Sequence, residues 1–236
     1  MEDFLCINEQ AHKMFLWEGN DSKKSFNKHC KEFGKDWYYY DKQISYKYNE
    51  KGFREKPLAD VDWKNSVVMF GCSYVEGTGN AIEDTIPSIL ENILGIPVVN
   101  LGIGGSSIDV ACINSLTLYK HYPKPKAVIQ LWTFPYRYAN FEQQEPVDTI
   151  RPNSDNYHLL GWNIHNKYYI DADRELWKNK DTIYYDTTMF YDSYKEYGCN
   201  YIECFDKARD NIHPGVKSNT LAAETIAEHL QQQGIK

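Results

Sequence analysis

Residues 66–80, SVVMFGCSYVEGTGN, decide the fold. The apolar run SVVMF (66–70) reads as a buried strand, and Gly71 and Gly77 bracket a tight turn at its carboxyl end, with Ser73 on that turn. Outward from it the texture repeats. DTIPSILENIL (84–94) has helical period and stops at Gly95, and IPVVN (96–100) is a second strand running into LGIGGSS. IDVACINSLTLYKHY (108–122) is a helix closed by Pro123, and KAVIQLW (126–132) is a third strand. Further on, TTMFYDSYKEYG (187–198) reads as helical, CNYIECF (199–205) as a fourth strand and SNTLAAETIAEHLQQQ (218–233) as the closing helix. Strands alternating with helices at this spacing predict an α/β fold, a parallel sheet with helices on both faces. Ligands of such sheets sit beyond the carboxyl ends of the strands.

The flanks are less regular. Ser22 is placed to cap a helix over SKKSFNKHCKEF, with Gly34 to stop it. Residues 35–54 are tyrosine-rich, with alternation in ISYKY and a turn signal at Asn49–Gly52, and read as an edge strand or hairpin. Residues 135–185 have no readable period. We therefore expect an N-terminal extension over 1–60 packing on a core domain over 61–236, with an insertion at about 135–198. The tyrosines of 37–48 and 184–201 could wall a sugar-stacking cleft, but packing of an irregular cap or an interface is the commoner use of such residues.

Composition excludes several classes. With 236 residues, 42% apolar and 25% charged, the chain is an ordinary globular one. Its net charge of −7 argues against a nucleic-acid binder, which needs a basic face to displace counterions from phosphates. No apolar run approaches the roughly 20 residues that span a bilayer. The opening MEDFLCINEQ lacks a basic segment followed by an apolar one, so no export signal is visible and a cytoplasmic location is expected. In that setting the six cysteines, without paired spacing, are expected as free thiols.

The chemistry follows from three groups. Ser73 is a poor nucleophile unless a base lies in hydrogen-bond reach. His213, in ARDNIHPG, is the candidate base, and Asp210 three residues earlier can fix its tautomer and stabilise the imidazolium. Gly105 in LGIGGSS, with the Ser73 amide, can offer N–H groups to a developing oxyanion, since glycine lets a ligand approach the main chain. Taken singly, Ser73 reads more readily as a turn serine and His213 as a helix-flank histidine, and Gly105 reads also as a turn glycine. Together at the strand ends they favour catalysis. Gly102-x-Gly104-x-x-Ser107 falls close to a dinucleotide fingerprint, but the next strand ends Gln130-Leu131-Trp132, without the acid that grips the ribose. GCSYVEGT has no phosphate-loop lysine, and Val75 breaks the GxSxG elbow pattern. The seven histidines fall in no metal-binding spacing, so no metal or cofactor is expected.

The blocks GCSYVEG, NLGIGGSS and DNIHP resemble those of the SGNH (GDSL-like) hydrolase superfamily in order and separation, and Asn49-x-x-Gly52-Phe-Arg54 resembles a segment often preceding them. The resemblance covers about 66–135 and 199–233. It implies a three-layer α/β/α sandwich with a flavodoxin-like sheet and esterase, lipase-like or carbohydrate-deacetylase activity. Ser73 matches the nucleophile, Gly105 the oxyanion glycine, and Asp210 and His213 the last-block pair. Cys72 replaces the usual aspartate before the serine, and the third block, QLWTFPYR (130–137), lacks the asparagine that donates to the oxyanion. Trp132, Thr133 or Arg137 would line that wall instead. The expectation is a serine esterase cleaving short acyl esters of small molecules or carbohydrates, without nucleic-acid or membrane partners. A weak or inactive binding module and an acyltransferase are the alternatives, and the oligomeric state stays open.

Overall fold

Side chains alternate across a strand, and in β3 (Val67–Gly71) that alternation feeds two separate cores. Val68 and Phe70 pack on one face of the sheet with residues of α4 (Ile108–His121) and α5 (Leu159–Trp177). Val67 and Met69 pack on the other with residues of α3 (Ile86–Leu94) and α6 (Val216–Gln232). The strands β4 (Val98–Gly102) and β5 (Ala127–Trp132) divide in the same way. Because both faces are covered, these strands carry continuous apolar runs. The computed structural model describes residues 4, 8–135, 137–140, 148–150, 159–178, 181–190 and 197–235.

The sheet is parallel throughout, in the order β4-β3-β5-β8-β9, with β8 at Ile183–Thr188 and β9 at Asn200–Tyr201. With two helices on each face, this is the α/β/α sandwich expected. Capping chemistry sets the helix ends. Ser22 Oγ accepts from Ser25 N at 3.1 Å to begin α1 (Lys23–Phe33), which Gly34 ends at φ 75°. Gly95, at φ 66°, ends α3.

The fourth strand of the sheet is a correction. It is IYYDTT (183–188), and CNYIECF contributes only the two-residue edge strand β9. Thr187 and Thr188, expected in a helix, belong to β8, and residues 191–196 of that expected helix lie outside the described residues. The cause is a buried polar layer. Asp186 Oδ2 accepts from Trp132 Nε1 at 2.9 Å and from Arg174 Nη2 at 2.7 Å, while Tyr184 donates to Asp173 at 2.9 Å. Polar side chains satisfied by one another can be buried without an apolar run to announce them. Burial pushes the Asp173 carboxyl up to about 6, against the pull of its hydrogen bonds from Ser115, Tyr184 and Gln130.

The outer edge of β4 is closed by side chains. Val98 N donates to Glu91 Oε2 at 2.8 Å, Asn100 N to Glu55 Oε2 at 2.6 Å, and Gly102 N to Asn100 Oδ1 at 3.0 Å. Nearer the N-terminus, β1 (Met14–Phe15) pairs antiparallel with β2 (Tyr46–Lys47). Around that pair, Tyr39, Ile44, Tyr46 and Tyr48 form a third apolar cluster, which also holds Ala81 and Ala208. These tyrosines are packed rather than presented. Between β5 and α5 in sequence, β6 (Tyr138–Asn140) pairs antiparallel with β7 (Asp148–Ile150). Among the described residues no helix is long and apolar enough to cross a membrane, and Cys30, Cys72, Cys112, Cys199 and Cys204 are free thiols.

Candidate active site

Ser73 opens α2 (Ser73–Glu76), a single helical turn directly after β3. Glycines permit that turn at two points. A Cβ on Gly102 would stand 2.4 Å from the Glu76 backbone nitrogen, so only glycine lets α2 lie against the end of β4. Gly77 closes α2 at φ 85°, in the left-handed region where side chains are strained. Below the turn, the Asn49 side chain organises a bend, accepting from Lys51 N at 2.9 Å and Phe53 N at 3.1 Å. That bend delivers Arg54, which donates to the carbonyls of Gly77 (2.8 Å), Asn80 (2.9 Å), Ser45 (2.9 Å) and Glu76 (3.3 Å). A buried guanidinium thus anchors the backbone leaving the Ser73 helix.

The loop carrying Asp210 and His213 arrives from the other end of the chain. Ala208 N donates to His213 O at 2.9 Å, closing the loop, and Asn211 takes φ 60° to turn it. Asp210 Oδ1 accepts from the amides of Ile212 and His213, both at 3.0 Å, which leaves Oδ2 for the imidazole. His213 Nδ1 stands 2.5 Å from Asp210 Oδ2, and His213 Nε2 stands 2.8 Å from Ser73 Oγ. Asp210 is 2% exposed, and Ser73 and His213 are 7% exposed. Burial pushes the Asp210 carboxyl up, but the hydrogen bond and charge of His213 and the two amides outweigh it, holding the group below the usual aspartate value. With the Nδ1 proton directed at Asp210, Nε2 is the acceptor for the serine proton.

The third loop follows β4. Ser106 N donates to Ile103 O at 3.1 Å, making a turn over 103–106 in which Gly105 takes φ 76°. Ile103 N (3.0 Å) and Ser106 Oγ (3.1 Å) both donate to Gly71 O, tying this turn to the strand that delivers Ser73. Gly104 lies over the buried Glu76 carboxylate, 2.8 Å from where its Cβ would be. That carboxylate is held by Tyr48 and Thr78, both at 2.9 Å.

The structure therefore brings Ser73, His213 and Asp210 into one hydrogen-bonded row and ties the Gly105 turn to it. The expected wall residues divide. Trp132 is a correction: it is 1% exposed, packed in the core shared with α4 and α5, with its indole bonded to Asp186, and so lines no cleft. Its position in β5 turns it to the face opposite Leu131, which packs with the Cys72 and Tyr74 side. Thr133 lies two residues beyond the Gly71–Leu131 pair, as Ser73 does on the neighbouring strand, and accepts from Arg137 Nη1 at 3.3 Å. Arg137 stacks over Phe134 at 5.0 Å.

An aromatic row was not foreseen. Tyr74 sits edge-on to His213 at 5.6 Å, Phe190 lies 4.9 Å from Tyr74, and Phe134 4.0 Å from Phe190. Its members come from three segments, and nothing in their local spacing predicts that they meet.

No protein-family model matches the chain, and the search of curated proteins finds no match. Solved structures do align with it. One is described as a carbohydrate acetylesterase family member from Sinorhizobium meliloti, 12% identical, covering 71% of this chain and 98% of its own, with a TM-score of 0.45. Another is an acetyl xylan esterase from the rumen bacterium Butyrivibrio proteoclasticus, 12% identical over 73% of this chain and 65% of its own, at TM-score 0.48. A third is a member of the lipolytic protein G-D-S-L family from Veillonella parvula, 12% identical over 69% and 96%, at TM-score 0.45. At such distances the reading of the site stands on its own geometry.

Proposed function

We propose that the chain is a serine esterase of the SGNH kind acting on short acyl esters. The observation that carries this reading is the row Asp210–His213–Ser73, closed at 2.5 Å and 2.8 Å at the carboxyl end of a parallel sheet. In the first half-reaction Ser73 Oγ gives its proton to His213 Nε2 and bonds the ester carbonyl carbon. The carbonyl electrons move onto oxygen, which the Ser73 and Gly105 N–H groups would stabilise. The intermediate then expels the alcohol, protonated by His213, and leaves an acyl-Ser73. Water, deprotonated by His213, releases the acid by the same steps in reverse order. Asp210 keeps the imidazole oriented and offsets its charge throughout.

A polar substrate suits the surroundings. The half-buried Arg137 offers a guanidinium beside the Tyr74–Phe190–Phe134 row, which suits a sugar ring stacked on an aromatic face with its hydroxyls bonded. The test is a fluorophosphonate probe together with an acetate-to-decanoate ester series and an acetylated sugar. Labelling at Ser73, lost in Ser73→Ala, and preference for acetyl groups are the expected results. Labelling that persists in Ser73→Ala would remove the nucleophile assignment, and rates climbing steadily with chain length would replace the carbohydrate reading with a lipid one.

A further inference from the structure

Ser73 and His213 are 140 residues apart, so their 2.8 Å contact depends on how two loops are held together. One loop leaves α2 at Gly77–Asn80, and the other carries Arg209–Asp210 and His213. We propose that Asp21 and Arg209 are positioning residues that set the geometry of the Ser73–His213–Asp210 row. This inference rests on the hydrolase reading given above.

Four observations support it. Arg209 immediately precedes Asp210, so a rotation of its backbone moves the Asp210 carboxylate. Its guanidinium binds Asp21 twice, Nε to Oδ1 at 2.8 Å and Nη2 to Oδ2 at 2.6 Å, with Asp21 0% and Arg209 3% exposed. The same Asp21 Oδ2 accepts from Tyr46 OH at 2.5 Å, and Tyr46 OH accepts from Gly79 N at 2.8 Å. Finally, Arg209 N donates to Gly79 O at 3.1 Å, which closes a ring through Asp21, Tyr46, Gly79 and Arg209. One carboxylate from the N-terminal segment therefore fixes both loops whose separation determines the Ser73–His213 contact.

The surroundings allow little play. The guanidinium lies 4.2 Å over the Trp17 ring, and Arg209 O sits 3.2 Å from His29 Nδ1. A Cβ on Gly79 would meet Ala208 Cβ at 2.7 Å and Asp210 Oδ1 at 3.2 Å, so the two loops are already at closest approach. Buried ion pairs are weak contributors to net stability, and fixing register is their better-attested use. A bidentate guanidinium–carboxylate pair sets direction as well as distance.

The test uses the full chain labelled with ¹⁵N-histidine. A low-field Nδ1–H resonance of His213 reports its bond to Asp210 without any need for turnover. Asp21→Asn is expected to shift or lose that resonance and to lower kcat about 10- to 100-fold with KM held within about twofold, as a small misplacement of reacting groups does. Asp21→Glu restores part of both readouts. Tyr46→Phe keeps the ion pair and moves both in the same direction by less, and it carries the test if Asp21→Asn does not fold. A folded variant with an unmoved resonance and wild-type kcat overturns the proposal. If the wild type hydrolyses nothing, the hydrolase reading fails, while the resonance still decides whether Asp21 positions His213.

Discussion

Replacing Asp210 by Asn tests the proposed chemistry at a single atom. Oδ1 can keep its bonds from the Ile212 and His213 amides, so the loop has reason to stay folded. The NH₂ group then occupies the Oδ2 position, 2.5 Å from His213 Nδ1, and two donors cannot share that distance. The imidazole responds by moving its proton to Nε2, where it meets Ser73 Oγ as a donor and can no longer take the serine proton. Where this tautomer error has been isolated, turnover falls about 10⁴-fold, or ~5.4 kcal/mol of barrier at 1.36 kcal/mol per decade. Loss of one charge-assisted bond costs stability of only about 1.5–3 kcal/mol. The sign with pH follows from the depressed Asp210 carboxyl: its stabilisation is present above the ordinary aspartate value of about 3.9 and is lost as pH falls through the lower folded value. Wild type and Asp210→Asn should therefore differ in melting temperature near neutrality and converge in strong acid. The assay is acetate-ester turnover beside thermal melting. A folded variant retaining turnover within about tenfold of wild type would refute the orienting role.

Three other outcomes are expected. Arg54→Met removes four bonds to backbone carbonyls, three of them buried at α2 and the segment leaving it, and should cost on the order of 3–5 kcal/mol in urea unfolding, with turnover lost in parallel. Gly102→Ala forces its Cβ against the Glu76 backbone, so α2 must shift; turnover should fall by an order of magnitude or more, and unchanged kinetics would mean the turn is softer than drawn. Burial, helped by the nearby Glu76 charge, pushes Glu18 up to about 7, so its charged form is disfavoured in the fold and stability is lost as pH rises through 7. Melting curves from pH 5 to 8 should show that loss, and Glu18→Gln should flatten it.

Much of the scaffold was legible because three strands bury both faces and two of them, β3 and β4, end in glycine. Ser73 and Gly105 stood out because each follows a readable strand, and Asp210 and His213 because the DNIHP block stands just before the closing helix. What escaped was polar and buried. IYYDTT has no apolar run to mark it as a strand, because Asp186 and Tyr184 are satisfied by Arg174, Trp132 and Asp173. Trp132 lies within the third block, where a cleft residue is expected, but strand alternation sends it to the other face. The Asp21–Arg209 pair spans 188 residues, and no local pattern reports a contact of that range.

The carboxylates along β4 bear on how the molecule behaves among its own copies. A sheet extends when an incoming backbone finds unpaired amides, and such an edge templates unwanted pairing. Here the outward amides of Val98, Asn100 and Gly102 are already spoken for by Glu91, Glu55 and Asn100. A visiting strand would break one internal bond for each one it formed and would bring its carbonyls toward two acidic side chains. At the far side, β9 offers only two residues. The sheet is thus finite at both ends, and a chain rich in β-prone tyrosines is guarded against polymerising through it.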